Sequence, residues 1–149
     1  GGWIMLLAAL ARPRRVSGLV GIAAAPDFTE ELIWQRATPE IRTTLEQDGV
    51  YFEPTDYDDA PYPITLKLIE DGRTHLLLER PIAIHCPVRL FHGMRDHSVP
   101  WSTAARISDA LLTEDVRIFL VKDGDHRLSR DSDIDRLCTA VGGLCRQVG

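Results

Sequence analysis

Apolar and polar positions along this chain alternate between two periods. Residues 2–11, GWIMLLAALA, are apolar almost throughout and are closed by Arg12-Pro13, which predicts a short helix buried over most of its surface. Residues 16–24, VSGLVGIAA, are a β-branched and small apolar run stopped by Pro26, the pattern of a strand buried on both faces. From residue 28 to about 78 the character changes to charged and aromatic. This stretch predicts one helix near 29–36 and a second near 39–47, with Thr38 as its N-cap, Pro39 in the first turn and Gly49 just past its end. The segment VYFEPTDYDDAPYP then reads as an acidic, turn-rich loop, and ITLKLIEDGRTHLLL as helix interrupted at Gly72.

The first pattern returns afterwards. CPVRLFHG predicts a short buried strand, WSTAARISDALL a helix entered through Pro100, and VRIFLVKDG another strand. DSDIDRLCTAVGGLCRQV is a terminal helix with Asp131 or Ser132 as its cap. Helix, strand, insertion, strand, helix, strand, helix is the order of one side of an α/β sheet, so the expected fold class is a parallel sheet flanked by helices. Residues 28–78 would be a helical insertion in a single partial domain spanning 1–149. The working residues of such sheets sit on loops that leave the carboxyl ends of the strands.

Composition narrows the possible partners. Seventeen basic against 22 acidic side chains give a formal charge of −5, which argues against nucleic acid or an anionic membrane surface as the main partner. Arg12, Arg14 and Arg15 cluster where a helix ends, and there cations complement the helix dipole. The opening apolar run is far shorter than the ~20 residues that span a bilayer. Three cysteines, Cys86, Cys138 and Cys145, show no CxxC and no zinc spacing. They predict reduced, mostly buried thiols and a cytoplasmic location.

Two strand-end loops carry the candidate chemistry. One reads HGMRDHSVPW and the other KDGDHRLSR. An acid on one such loop and a histidine on the next is the chain order of the second and third members of the α/β-hydrolase triad, with Asp96 as the acid and His126 as the base. The chemistry requires these types, because the imidazole takes a hydroxyl proton while the carboxylate fixes its tautomer and stabilises the imidazolium. Asp27, at the end of the preceding strand, is the rival acid. Asp123 and Asp125 read as turn formers, and His92, beside Gly93, as a structural or supporting histidine. His75 falls on a helix of the insertion, and His85 and His97 read as exposed or locally bonded. A metal site built from His85, His92, Asp96 and His97 would match no usual ligand spacing.

GGWIMLLAALARP, HGMRDHSVPW and DHRLSR together resemble the C-terminal half of an α/β hydrolase. The likeness is to the branch that holds small bacterial serine hydrolases and mitochondrial palmitoyl-protein thioesterases. It implies hydrolysis of carboxylic esters or acyl thioesters through an acyl-serine, on a small-molecule or acylated substrate, with no cofactor and no metal. It also gives Gly1 a meaning, as the last glycine of a G-x-S-x-G elbow whose serine would lie two positions upstream. On that expectation residues 1–149 alone are inactive. The insertion becomes a cap whose Phe28, Trp34, Tyr51, Phe52, Tyr57 and Tyr62 either line an acyl pocket or pack the cap. The alternative is a non-catalytic module of the same fold that acts through association.

Overall fold

The computed structural model describes residues 1–54 and 60–149, which divide into two compact units. One unit comprises Gly1–Pro26 with Leu77–Gly149, the other Asp27–Leu76.

The first unit is built on a parallel sheet of three strands, in the spatial order β1 (Leu19–Ile22), β4 (Val88–Gly93) and β5 (Val116–Val121). The central strand β4 is buried at every position, as expected of a parallel strand covered on both faces. Its neighbours are edges of this sheet, and their outer residues Ile22, Ile118 and Leu120 are exposed. β1 is therefore shorter and less buried than its apolar sequence predicts. Residues 13–15, opened by Pro13, form a 3-10 turn before it.

Helix α1 (Gly2–Ala11) buries Trp3, Leu6 and Ala9. Gly2 stands against Ala24: a Cβ there would come within 2.5 Å of the Ala24 Cβ and 2.6 Å of its Cα. The helix entry thus depends on a residue without a side chain. At the other end the Arg12 guanidinium donates to the Ala11 carbonyl at 3.1 Å, which caps the helix as the arginine cluster suggested. Helix α4 (Ser102–Ala110) buries Thr103, Ala104 and Ile107.

Helix α5 (Asp131–Val148) places Leu144 beside Gly18. Its cap differs from the expectation. Arg130 occupies the N-cap position without a side-chain cap bond, and the first turn is instead tied by Asp133, which is buried and paired with Arg130 (2.8 Å) and Arg136 (3.2 Å). A buried arginine in β4, Arg89, is satisfied by Asp115 (2.8 and 3.3 Å) and by the Gln147 side-chain oxygen (3.0 Å). A charge in mid-strand is tolerable because this paired fork neutralises it.

The second unit begins with a π-helical segment, Thr29–Trp34, in which the Gln35 N–H reaches back five residues to Glu30. Helix α2 (Pro39–Asp48) starts as predicted, with the Thr38 Oγ1 accepting from Ile41 N at 3.4 Å, and ends at Gly49 with φ +75°. Residues 50–63 are not a loop throughout. Strand β2 (Val50–Glu53) pairs antiparallel with β3 (Tyr62–Thr65). Helix α3 (Leu66–Arg73), capped by Thr65, ends one residue past the buried Gly72, so the predicted helical stretch stops close to the expected break. Leu45, Ile64 and Ile69 form a small separate core, flanked by Ile33, Trp34, Ile41 and Tyr51. The cysteines also depart from the reading: Cys138 and Cys145 on α5 are exposed, and Cys86 is half-buried. Among the described residues no helix is long and apolar enough to cross a membrane.

The β4 and β5 loops meet at one glycine. A Cβ on Gly93 would lie 2.2 Å from the Asp125 carbonyl oxygen and 2.4 Å from that of Gly124, and backbone cannot retreat as a side-chain tip can. Gly93→Ala should therefore lower stability by about 1–3 kcal/mol or more. Gly143, in α5, has open space at its Cβ, and Gly143→Ala should raise stability by up to about 1 kcal/mol. Urea denaturation of both variants checks the contrast.

Candidate active site

Asp96 lies three residues beyond β4, in a loop that folds back on itself. Met94 N–H donates to the Val121 carbonyl (2.8 Å) and Arg95 N–H to that of Gly124 (2.9 Å), so the loop is laced to the end of β5 before the aspartate is reached. The Asp96 side chain is fully buried. Its Oδ1 accepts from Ser98 N (2.8 Å) and Val99 N (2.9 Å), an Asx-type turn that leaves Oδ2 pointing the other way. Oδ2 lies 2.8 Å from Nδ1 of His126.

His126 is held in turn by its own loop. Asp125 Oδ1 accepts from Arg127 N (3.0 Å) and Leu128 N (2.9 Å), and Leu128 takes a φ of +47° to complete the bend. Arg130 joins Asp123 (2.6 Å) at the start of the loop to Asp133 in α5. Asp125 thus closes a turn as the sequence suggested, whereas the Asp123 carboxylate serves as an ion-pair partner of Arg130. Since Asp96 Oδ2 is an acceptor, His126 carries its proton on Nδ1, which leaves the Nε2 lone pair free to take a proton. The imidazole is 41% exposed, and Nε2 has no hydrogen-bond partner among the described residues. The pair presents a base of fixed tautomer toward open space.

Burial alone would push the Asp96 carboxyl up. The Val99 N–H, the His126 ring and the Ser98 N–H outweigh it and hold the group below its ordinary value, so it remains a carboxylate at neutral pH.

Asp27, the rival acid, is buried with φ +60° in the second unit, where its carbonyl accepts from Glu30 and Glu31 N–H. The His126 Nδ1 is already occupied by Asp96. His92 lies fully buried in β4, with Nε2 3.1 Å from the Val99 carbonyl and 3.3 Å from Asp96 Oδ2, a contact that spacing along the chain does not reveal. His85, His92, Asp96 and His97 form no metal cluster, and no group of three or more such ligands occurs among the described residues. Of the aromatic candidates, Trp34 stacks under Arg42 and Arg73 and joins Tyr51 around the small core, whereas Phe52 and Tyr62 are exposed. Tyr57 lies outside the described residues.

No family model matches the chain. It is 39% identical over 145 residues to palmitoyl-protein thioesterase ABHD10, mitochondrial, of Pongo abelii, covering 97% of the chain and 47% of that protein. To the mouse protein of the same name it is 40% identical over 147 residues, with coverages of 97% and 48%. The solved structure of mouse α/β hydrolase domain-containing protein 10 superposes with a TM-score of 0.89 at 36% identity, over all of this chain and 60% of that one. A putative hydrolase from Agrobacterium vitis S4 gives a TM-score of 0.91 at 39% identity, over 97% and 57%.

The chain belongs to the α/β-hydrolase superfamily.

It spans about half the length of the curated relatives it matches, and its sheet is the C-terminal half of the α/β-hydrolase fold. The comparison corrects one expectation. The matched relatives are named as mitochondrial, which overturns the cytoplasmic location inferred from the cysteines. Unpaired thiols separate reducing from oxidising surroundings and do not distinguish one reducing compartment from another.

Because the folded-state value of Asp96 is depressed, its carboxylate contributes stability above the ordinary carboxylate value and loses it as pH falls through the lowered one. Asp96→Asn should be less stable than the parent at pH 7. The deficit should start to shrink below the ordinary carboxylate value of about 4 and close as pH falls through the lowered value, where the folded parent's aspartate is neutralised. Thermal unfolding of both proteins across an acid series measures the gap.

Proposed function

We propose that this chain supplies the acid–base part of a serine hydrolase that cleaves acyl thioesters and carboxylic esters. The observation that carries the proposal is the 2.8 Å contact between Asp96 Oδ2 and His126 Nδ1, with the ring's other nitrogen unpartnered among the described residues. The same pairing serves acyl transfer in the serine triad, where the histidine works as base and then as acid. The thioester preference is supported by relatives about 39% identical that are named palmitoyl-protein thioesterases.

In this proposal the nucleophile is a serine supplied by the rest of the hydrolase fold. As its Oγ bonds to the acyl carbon, the hydroxyl proton passes to His126 Nε2, and Asp96 stabilises the resulting imidazolium. Collapse of the tetrahedral intermediate breaks the carbon–sulfur or carbon–oxygen bond. The proton then moves from Nε2 to the departing thiol or alcohol. Water repeats the sequence on the acyl-serine: it gives a proton to Nε2 as it attacks, and the serine recovers that proton as the carboxylic acid leaves. Backbone N–H groups near the serine would hold the oxyanion, a stabilisation that typically contributes several kcal/mol.

The test is turnover of a medium-chain acyl thioester and its oxygen ester by the full-length protein. His126→Ala should nearly abolish kcat with the fold intact, and Asp96→Asn should lower it by about 10⁴-fold, as a wrong tautomer does in serine proteases. Unchanged turnover in either variant would remove that residue from the mechanism. A loss confined to Asp27→Asn would move the acid to the earlier strand.

A further inference from the structure

We infer that His92 is a positioning residue for the Asp96–His126 pair, a buried ring whose Nε2–H fixes the aspartate's loop and moderates its carboxylate. The inference rests on the acid–base role proposed above, but its geometry does not.

His92 is the fifth residue of β4, and its side chain is 1% exposed. Its Nε2 faces two oxygens, the Val99 carbonyl at 3.1 Å and Asp96 Oδ2 at 3.3 Å. Both are acceptors, so the nitrogen between them must carry the proton. A lone pair there would be set against a carbonyl and an anion at once. Its Nδ1 is buried and has no partner among the described residues. A second proton on that atom would put an unpaired N–H, and a charge, in a dry interior, where both are unfavourable. The ring is therefore held with a proton on Nε2. Asp96 is the one carboxylate within ion-pair distance of either imidazole among the described residues.

His92 acts on Asp96 in two ways. The Val99 residue that receives the His92 proton through its carbonyl also gives its own N–H to Asp96 Oδ1, so His92 braces the turn that aims the carboxylate. The Nε2–H dipole also lies beside the oxygen that His126 uses. It draws off some of the negative potential that His126 feels, which keeps the base from becoming too strong. A charged His92 would compete with His126 for the same oxygen. A neutral one supports the aspartate without occupying it. Outer partners of this sort typically alter activity by about 10–100-fold when removed, as in the shells around metal ligands.

The experiment has two parts, both on the full-length protein. Nitrogen-15 shifts of the histidine rings at pH 7 should show His92 neutral and protonated at Nε2. In His92→Leu the titration midpoint of His126 should move upward from that of the parent, because a donor beside its carboxylate has gone. The kcat for the thioester should fall about 10–100-fold with KM unchanged. His92→Gln, whose amide N–H can reach the Val99 carbonyl, should restore most of both. A His92 that is charged or protonated at Nδ1, or a His126 midpoint unmoved in His92→Leu, would overturn the inference. If His92→Leu does not fold, the ring shifts and the Gln variant decide it. If Asp96→Asn and His126→Ala left turnover intact, the hydrolase reading would fail, while the tautomer and the His126 midpoint would still judge His92.

Discussion

Parallel pairing of β4 with β5 is the constraint on which the candidate site depends. The two strands run in register from Val88↔Val116 to Gly93↔Val121, so their carboxyl ends finish side by side. The loops beyond them can touch only because Gly93 lets the backbone of the β5 loop approach to a distance that a methyl group would forbid. Asp96 and His126, thirty positions apart, then meet without either loop being long. The buried Leu90 and Phe91, with Phe91 stacked on Phe119 at 4.5 Å between ring centroids, keep the paired strands from separating.

The electrostatics are layered around one carboxylate. Asp96 is buried, which would ordinarily favour its neutral form, yet two backbone N–H groups and an imidazole hold it ionised. Each oxygen has a separate task. Oδ1 closes the local turn, Oδ2 faces His126, and the His92 ring stands at the margin of Oδ2. His126 is the exposed member, with its second nitrogen open, as the proposed proton exchange with a substrate requires. On the histidine side, Arg130 links the loop to α5 through two aspartates. Its pair with Asp123 is solvent-exposed and screened by water, so the Asx turn at Asp125 is the firmer restraint.

Much of this arrangement is legible in the residues. The glycine in HGMRD, the acid three residues on and the histidine in the next loop carry their spacing openly, because the chemistry and the close approach both demand particular residue types. Thr38, Pro39 and Gly49 mark the ends of α2 for the same reason. Other features depend on contacts that no local pattern encodes. The β2–β3 hairpin reads as loop because Pro54, Pro61, Pro63 and the aspartates between them mask two strands of four residues each. Asp133 serves the start of α5 through arginine partners, so a search for a residue at the cap position finds its neighbours instead. The usual burial of cysteine puts Cys138 and Cys145 inside, whereas the face of α5 that carries them is open. The position of His92 against Asp96 is a fact about how the loop returns to β4, and four-residue spacing alone does not show it.

The most direct test is a double-mutant cycle on turnover by the full-length protein, combining Asp96→Asn with His126→Ala. If the two residues work as one unit, the aspartate has nothing left to orient once the imidazole is gone. The double variant should then be no slower than His126→Ala alone. Losses that multiply would mean that Asp96 acts independently of His126, and the shared role inferred from their contact would be wrong.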